Sequence, residues 1–308
     1  MADRKRVVVT GATGLIGKAL CKRLQAEEYD VVVFAREPER ARSAVPGAVE
    51  YVSWTAADSG PWAAHIDGAW CVVNLAGTPV AGKRWTARRK QEIRDSRVVG
   101  TRGIVAAIAA ATHKPRVLVN ASAIGYYGPR DDTPLDEDAP AGHDFLAGVV
   151  ADWEAEAGKA EAAGVRVALV RTGIVLDKDE GALAQLRQPY QFFAGGPVLP
   201  GTQWFSWIHH ADEVGIMLLA LQDERVRGPI NATAPQPQTS RDFSRTLGTV
   251  MGRPSLVPVP GFALKLLFGE FADTLTTGQR VLPAKARDLG YRFQYTASDA
   301  ALRQILTT

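Results

Sequence analysis

Cysteine is almost missing from this 308-residue chain: Cys21 and Cys71 are the only two. Each lies in an apolar segment, so a pair of buried free thiols is expected rather than a disulfide or a metal site. The adjacent His209 and His210 have no third residue at metal-ligand spacing, and packing is the expected role for them. Neither a nucleophile-elbow pattern nor a set of zinc ligands occurs. No uninterrupted apolar run reaches the roughly 20 residues that cross a bilayer. The opening Met1-Ala2-Asp3-Arg4-Lys5-Arg6 leads into a strand without a long apolar leader. The net charge is only +3, too little by itself to argue for nucleic acid. There is no low-complexity tract or internal repeat. What remains is the expectation of a cytoplasmic protein with a small-molecule partner, and with neither nucleic acid nor membrane as a partner.

What is present is ample apolar material: 46% of the residues are hydrophobic, punctuated by 29 glycines and 18 prolines. Apolar strands alternate with helical stretches through the first half. Strands are expected at Val7-Val8-Val9, Val31 to Phe34, Val49 to Ser53, Trp70 to Leu75, Val117 to Val119 and Val165 to Arg171. Helical stretches run from Leu15 to about Glu27, from Trp85 to Ala111 and from Phe145 to Ala163. Strands apolar on both faces and separated by helices indicate a parallel sheet covered on both sides. With right-handed crossovers this becomes an α/β, Rossmann-type doubly wound sheet. Beyond residue 172 the pattern is less regular. Short strands are expected at Trp207-Ile208-His209 and Ile230-Asn231-Ala232, with Asp212 capping the helix between them. The expected division is a dinucleotide-binding domain over residues 1–172, to which residues 203–233 return. Residues 173–202 and 234–308 would form a smaller, mixed C-terminal lobe for the substrate.

The most informative segment is Thr10-Gly11-Ala12-Thr13-Gly14-Leu15-Ile16-Gly17, lying between the first strand and the first helix. Glycine lets the chain turn tightly and lets a diphosphate approach the backbone. The helix start offers unpaired amides and a positive partial charge. Gly11, Thr13, Gly14, Leu15 and Ile16 are therefore expected to contact a dinucleotide, and Gly17 to allow close packing of helix on sheet. At the tip of the second strand, where an NAD site usually has an acid for the ribose, the chain reads Phe34-Ala35-Arg36. Arg36 is either a solvated arginine or the partner of a 2′-phosphate. Together with the missing acid it favours NADP(H) over NAD(H). Asn74-Leu75-Ala76-Gly77 ends the fourth strand, where a turn of small residues can pass beneath a bound ribose; taken alone it would read as a plain turn.

Three further residues are candidates for chemistry. Ser122 follows the fifth strand, where it could bond a substrate oxygen or simply end the strand by bonding backbone. Tyr127, with Tyr126 beside it, could supply a phenol or pack against its loop. Arg97 lies on the inward stripe Ile93, Arg97, Gly100 or Thr101, Ile104 and Ile108 of its helix and so needs a partner. That partner is a phosphate or carboxylate in the cofactor–substrate cleft, or else a structural salt bridge. The other cations near the start of this helix read as a solvated face, as does the acidic loop Asp136-Glu137-Asp138.

With these residues in view, the chain resembles the extended short-chain dehydrogenase/reductase superfamily. It is closest to the atypical epimerase-family branch sometimes labelled cell-division-inhibitor-like. The resemblance rests on the Thr10–Gly17 turn, Asn74–Gly77, Lys83-Arg84-Trp85-Thr86, Ser96-Arg97, Gly125-Tyr126-Tyr127-Gly128, Arg171–Leu176, Trp207-Ile208-His209 and Gly278-Gln279-Arg280. It implies NADP(H) binding, a substrate cleft between two lobes and a small C-terminal domain from about Ser255. One departure stands out. The Tyr-x-x-x-Lys acid/base pair that related enzymes carry on the helix after the fifth strand is replaced here by Asp144 to Glu154, with neither residue present. The expected function is an NADP(H)-dependent oxidoreductase or epimerase acting on a small anionic or nucleotide-linked substrate. In that reading Ser122 orients the reacting oxygen, Tyr127 stands in as acid or base, and Arg97 holds a charge. The missing pair supports the alternative, a non-catalytic NADP(H)-binding sensor or regulator.

Overall fold

The computed structural model describes residues 4–57 and 59–307. At its centre lies a seven-stranded sheet, every neighbouring pair of which is parallel. Five strands come from the first part of the chain: β1 (Arg6–Thr10), β2 (Asp30–Ala35), β3 (Glu50–Ser53), β4 (Cys71–Asn74) and β5 (Val117–Ala123). After the two-residue β6 (Pro134–Leu135) come β7 (Arg166–Thr172) and the short β8 (Ile174–Leu176), β9 (Trp204–Phe205) and β10 (Trp207–His209). The sheet is completed by β11 (Gly228–Ala232), and the order across it is β11-β7-β5-β4-β1-β2-β3.

The continuous apolar strands follow from burial on both faces. Val7, Val9, Val31 and Val33 point to one face, where they pack with Leu20, Cys21 and Leu24 of α1 (Leu15–Ala26) and Ala41 of α2 (Pro38–Ala44). Val8, Val32, Phe34 and Leu118 point to the other, against Ile104 and Ile108 of α3 (Ala87–Ala110) and Ala157 of α4 (Phe145–Gly158). Cys21 and Cys71 are free and buried in the first of these layers, and burial pushes the Cys21 thiol up to about 12. The strand order reverses between β1 and β4, which opens a crevice at their carboxyl ends.

The rest of the chain packs beside this sheet. A second core joins Leu183 and Tyr190 of α5 (Gly181–Gln191), Phe243 and Leu247 of α7 (Ser240–Met251), and Leu302 and Ile305 of α11 (Ser298–Thr307). Between β10 and β11 runs α6 (His210–Gln222), which returns to the sheet beside α1. The short β12 (Gln238–Thr239) pairs with β9, and β13 (Arg280–Val281) with β6. After α7 come α8 (Gly261–Phe268), a 3₁₀ turn (Gly269–Ala272), α9 (Asp273–Thr276) and α10 (Ala284–Asp288).

Three local expectations are corrected. Asp212 does not cap α6; His209 does, its Nδ1 accepting from the Ala211 amide at 3.0 Å. The Asp212 carboxylate accepts instead from the amides of Gln294 (2.8 Å) and Tyr295 (3.0 Å), tying the C-terminal segment to α6. Glu137 is no solvated loop acid. It is buried and accepts from the Asn231 and Lys285 amides at 2.9 and 3.2 Å. The stretch expected as one helix over residues 145–163 changes at Lys159 into a 3₁₀ turn that ends at the left-handed Gly164.

Candidate cofactor and substrate site

Two clusters form at the carboxyl edge of the sheet, and they differ in how their polar groups are used. The first surrounds the turn after β1. A Cβ on Gly11 would lie 2.7 Å from the Leu75 carbonyl carbon and 2.9 Å from the Ala76 amide, and its φ is +66°. A Cβ on Gly17 would lie 2.3 Å from the Gly11 oxygen. These two glycines let the β1–α1 turn, the β4 turn and the first turn of α1 pack backbone to backbone. Gly14, the N-cap, differs: a Cβ there meets nothing closer than the Gly11 oxygen at 3.4 Å. Thr13 and Gly14 are exposed, and Leu15 and Ile16 half-buried. Among the described residues no side chain caps α1, and its first turn holds no acid, so its leading amides and positive end are left uncompensated.

Beneath the crevice lies a closed polar network. Thr10 Oγ1 donates to Asn74 Oδ1 at 2.7 Å and accepts from the amides of Leu75 and Ala76. Asn74 Nδ2 donates to Thr101 Oγ1 (2.9 Å) and Asn120 Oδ1 (2.7 Å), and Trp153 Nε1 donates to Thr101 Oγ1 at 2.8 Å. The Asn74 side chain is thus spent inside the protein, and what it offers the crevice is the fixed path of the turn at Leu75, Ala76 and Gly77. Arg97 stands against that turn. A Cβ on Gly77 would come within 3.0 Å of its guanidinium carbon. Arg97 Nη1 donates to the carbonyls of Thr78 and Ile93, each at 3.0 Å, and the guanidinium lies 5.2 Å from the Trp153 ring centre. No carboxylate pairs with it among the described residues. Burial, with Arg89 nearby, pulls its pKa down to about 10, so it is still a cation at neutral pH and one that an anion would stabilise. Arg36 is exposed at the end of β2, and no ion pair holds it among the described residues.

The second cluster contains Ser122 and Tyr127, and it is closed. Ser122 Oγ donates to Glu154 Oε1 at 2.5 Å. The same carboxylate takes a two-pronged contact from Arg171, Nε to Oε1 and Nη2 to Oε2, each at 2.8 Å. Tyr127, wholly buried, donates from its hydroxyl to Asn231 Oδ1 (2.6 Å) and accepts from Arg171 Nη1 (3.0 Å). Burial pushes the Tyr127 phenol up to about 12 despite the adjacent Arg171 cation. The Arg171 guanidinium also lies 3.6 Å from the Tyr126 ring centre. Burial works against its charge, but the hydrogen bonds and charge of Glu154, with Tyr127 beside it, raise its pKa above the usual arginine range. The structure therefore brings Ser122 and Tyr127 together around Arg171 and Glu154, and it brings Gly11, Leu75, Ala76, Gly77 and Arg97 together elsewhere. Sequence reasoning missed Glu154, Asn231 and Glu137, and it did not see Arg171 as a hub. The available signal was Arg171 directly after the apolar run Val167 to Val170 of a buried strand, where an arginine demands a buried partner.

The sequence pattern of the NAD dependent epimerase/dehydratase family matches residues 7–232. The chain belongs to that family. A second pattern, a domain of unknown function (DUF1731), matches residues 259–305, the region of α8 to α11. The "epimerase family protein SDR39U1 homolog, chloroplastic" of Arabidopsis thaliana is 44% identical over 97% of this chain and 86% of its own length. The epimerase family protein ML0860 of Mycobacterium leprae is 37% identical over 99% and 97%. Among solved structures, human epimerase family protein SDR39U1 (isoform 2) with NADPH superimposes with a TM-score of 0.88. It is 32% identical and covers 98% of this chain and 99% of that one. A UDP-galactose 4-epimerase structure, 22% identical with a TM-score of 0.76, shares the fold.

Proposed function

We propose that the protein binds NADP(H) in the crevice between the β1 and β4 turns and acts as an oxidoreductase or epimerase on a small anionic or nucleotide-linked substrate. The observation that carries the cofactor reading is the uncapped, acid-free start of α1 beneath an exposed Thr13-Gly14. A diphosphate there would meet unpaired amides and the positive end of the helix. Leu15 and Ile16 would lie at its edge, and Gly11 keeps the turn close to Leu75 and Ala76. Arg36, exposed at the tip of β2 and held by no ion pair among the described residues, suits a 2′-phosphate. Arg97, beside Gly77 and without a carboxylate partner among the described residues, is a second point for a phosphate or substrate anion. The NADPH in the human relative's structure supports the same choice of cofactor.

A bound nicotinamide would supply or accept a hydride; the accompanying proton must be handled by a group that reaches the substrate. Ser122 and Tyr127 are poor candidates for this task, because each already gives its proton to a buried acceptor. That favours a second reading, a protein that binds NADP(H) without turnover and reports its level. Calorimetric titration with NADPH and NADH tests the cofactor assignment. NADPH should bind more tightly, and Arg36→Ala should weaken NADPH at least tenfold, about 1.4 kcal/mol, with little change for NADH. Equal losses for both cofactors would refute the 2′-phosphate role. NADPH absorbance followed over a panel of carbonyl substrates separates enzyme from sensor: oxidation by any of them supports the first reading, and tight binding without turnover the second.

A further inference from the structure

Eight large apolar side chains are exposed among the described residues, and seven of them lie in two short segments. Phe192 and Phe193 end α5; Leu256, Val257, Phe262, Leu266 and Leu267 lie on the approach to α8 and along it. The two segments are bonded to each other. The amides of Leu256 and Val257 donate to the Gly195 carbonyl, Val259 N donates to Pro197 O, and Leu199 N to Val259 O. Leu264 turns inward from α8 while Phe262, Leu266 and Leu267, at 77%, 74% and 65% exposure, face out with Lys265. The face is fixed, not loosely tethered. Arg84 donates to the carbonyls of Leu266 and Leu267, and Trp85 packs between Phe145 and Phe271.

The segments that carry the patch hold cations only, and the acids that meet them lie outside these stretches. Residues 181–204 and 243–269, which carry the patch, contain no Asp or Glu in a chain that has 33 of them, but they do contain Arg187, Arg245, Arg253 and Lys265. Arg253 covers the Phe193 ring at 4.4 Å, and no carboxylate pairs with it among the described residues. Arg187, Arg245 and Lys265 touch Asp179, Asp242 and Asp273 from outside these stretches. Such exposed pairs are weak and open to exchange. Beside the patch is an open hollow of about 550 Å³ lined by Arg245, Gly248, Thr249, Arg253, Ser255 and Leu256. Two arginines in a hollow next to exposed Phe and Leu side chains match a phosphate headgroup with acyl chains alongside it.

We propose that this face seats the protein on an anionic lipid surface, with Phe262, Leu266 and Leu267 entering the headgroup region and Arg245 and Arg253 meeting lipid phosphates. Exposed apolar side chains on segments that carry cations and no acid of their own form a combination that binds a bilayer from one side without crossing it. No long apolar run marks this surface in the sequence, because it is assembled from pieces some 60 residues apart.

The test is co-sedimentation of the full chain with phosphatidylcholine vesicles, with and without phosphatidylglycerol. Binding at least about tenfold stronger to the anionic vesicles, and weakened by salt, is expected. Combined Phe262→Ser, Leu266→Ser and Leu267→Ser should abolish it. So should Arg245→Glu with Arg253→Glu, a variant that leaves α8 untouched in case the first set disturbs folding. Both variants should keep wild-type affinity for NADPH. No preference for anionic vesicles, or wild-type binding by folded variants, overturns the proposal. So does a dimer in light scattering that the same serine substitutions dissociate, since the patch would then belong to a second copy of the chain.

Discussion

Removing Glu154 should unfold this protein more readily than removing any surface acid, and the reason can be worked from its contacts. The Arg171 and Glu154 side chains are 3% and 9% exposed. Glu154 is the only carboxylate paired with Arg171 among the described residues, and it also accepts from Ser122. In Glu154→Ala the guanidinium keeps Tyr127 and the Glu137 carbonyl, both uncharged partners, at 3.0 and 3.1 Å. A buried cation left without its counter-charge costs about 3–5 kcal/mol. At some 2–4 °C per kcal/mol for a domain somewhat smaller than this, the melting temperature should fall by on the order of 10 °C. Glu154→Gln, which keeps an acceptor but no charge, should fall between Ala and wild type. Replacing both partners, Glu154→Met with Arg171→Met, should cost less than Glu154→Ala alone, because no unpaired charge is then buried. Urea unfolding of wild type and these three variants gives each loss. A loss below about 1 kcal/mol for Glu154→Ala, or a double variant less stable than Glu154→Ala, would refute the reasoning.

Other expectations follow from single contacts. Gly17→Ala places a methyl 2.3 Å from the Gly11 oxygen, so it should both destabilise the fold and weaken NADPH binding in calorimetry, whereas Gly14→Ala, whose methyl meets only an ordinary contact at 3.4 Å, should fold normally. Glu213, fully buried with Thr172 Oγ1 donating to it at 2.7 Å, has its carboxyl pushed by burial from an ordinary 4.5 to about 8. The folded state then keeps a proton that the unfolded chain releases, so this group's contribution to stability is lost as pH rises from about 4.5 to about 8. His209 works oppositely: burial lowers its pKa to about 4, and its contribution is lost as pH falls from 6.5 towards 4. Glu213→Gln should therefore flatten the decline in melting temperature between pH 6.5 and 8, and an unchanged slope would contradict the buried-acid account. Trp85→Ala should loosen residues 261–276 from the start of α4, seen as amide exchange in α8 that is faster than in wild type while exchange in α1 is unchanged.

The layered α/β core was legible in the chain itself, because burial on both faces of a parallel sheet demands unbroken apolar strands such as Val7-Val8-Val9 and helices between them. The glycine turn was equally legible, since Gly17 is needed by its contact with the Gly11 oxygen and Gly11 by its own φ of +66°; the approach of Leu75 and Ala76 to Gly11 was not local. Local pattern could not assign the polar groups. Asn74, Ser122 and Tyr127 looked available for a ligand; only folding showed them bonded to Thr10, Glu154 and Asn231, at separations of 64, 32 and 104 residues. The same holds for Glu137, an acid in an acidic loop by sequence and a buried acceptor for two distant amides in the structure. Periodicity records which side of an element faces the core. Which polar group meets which, and which arginines are left without an acid, depends on contacts between elements far apart in the chain, and those exist only once the sheet has closed.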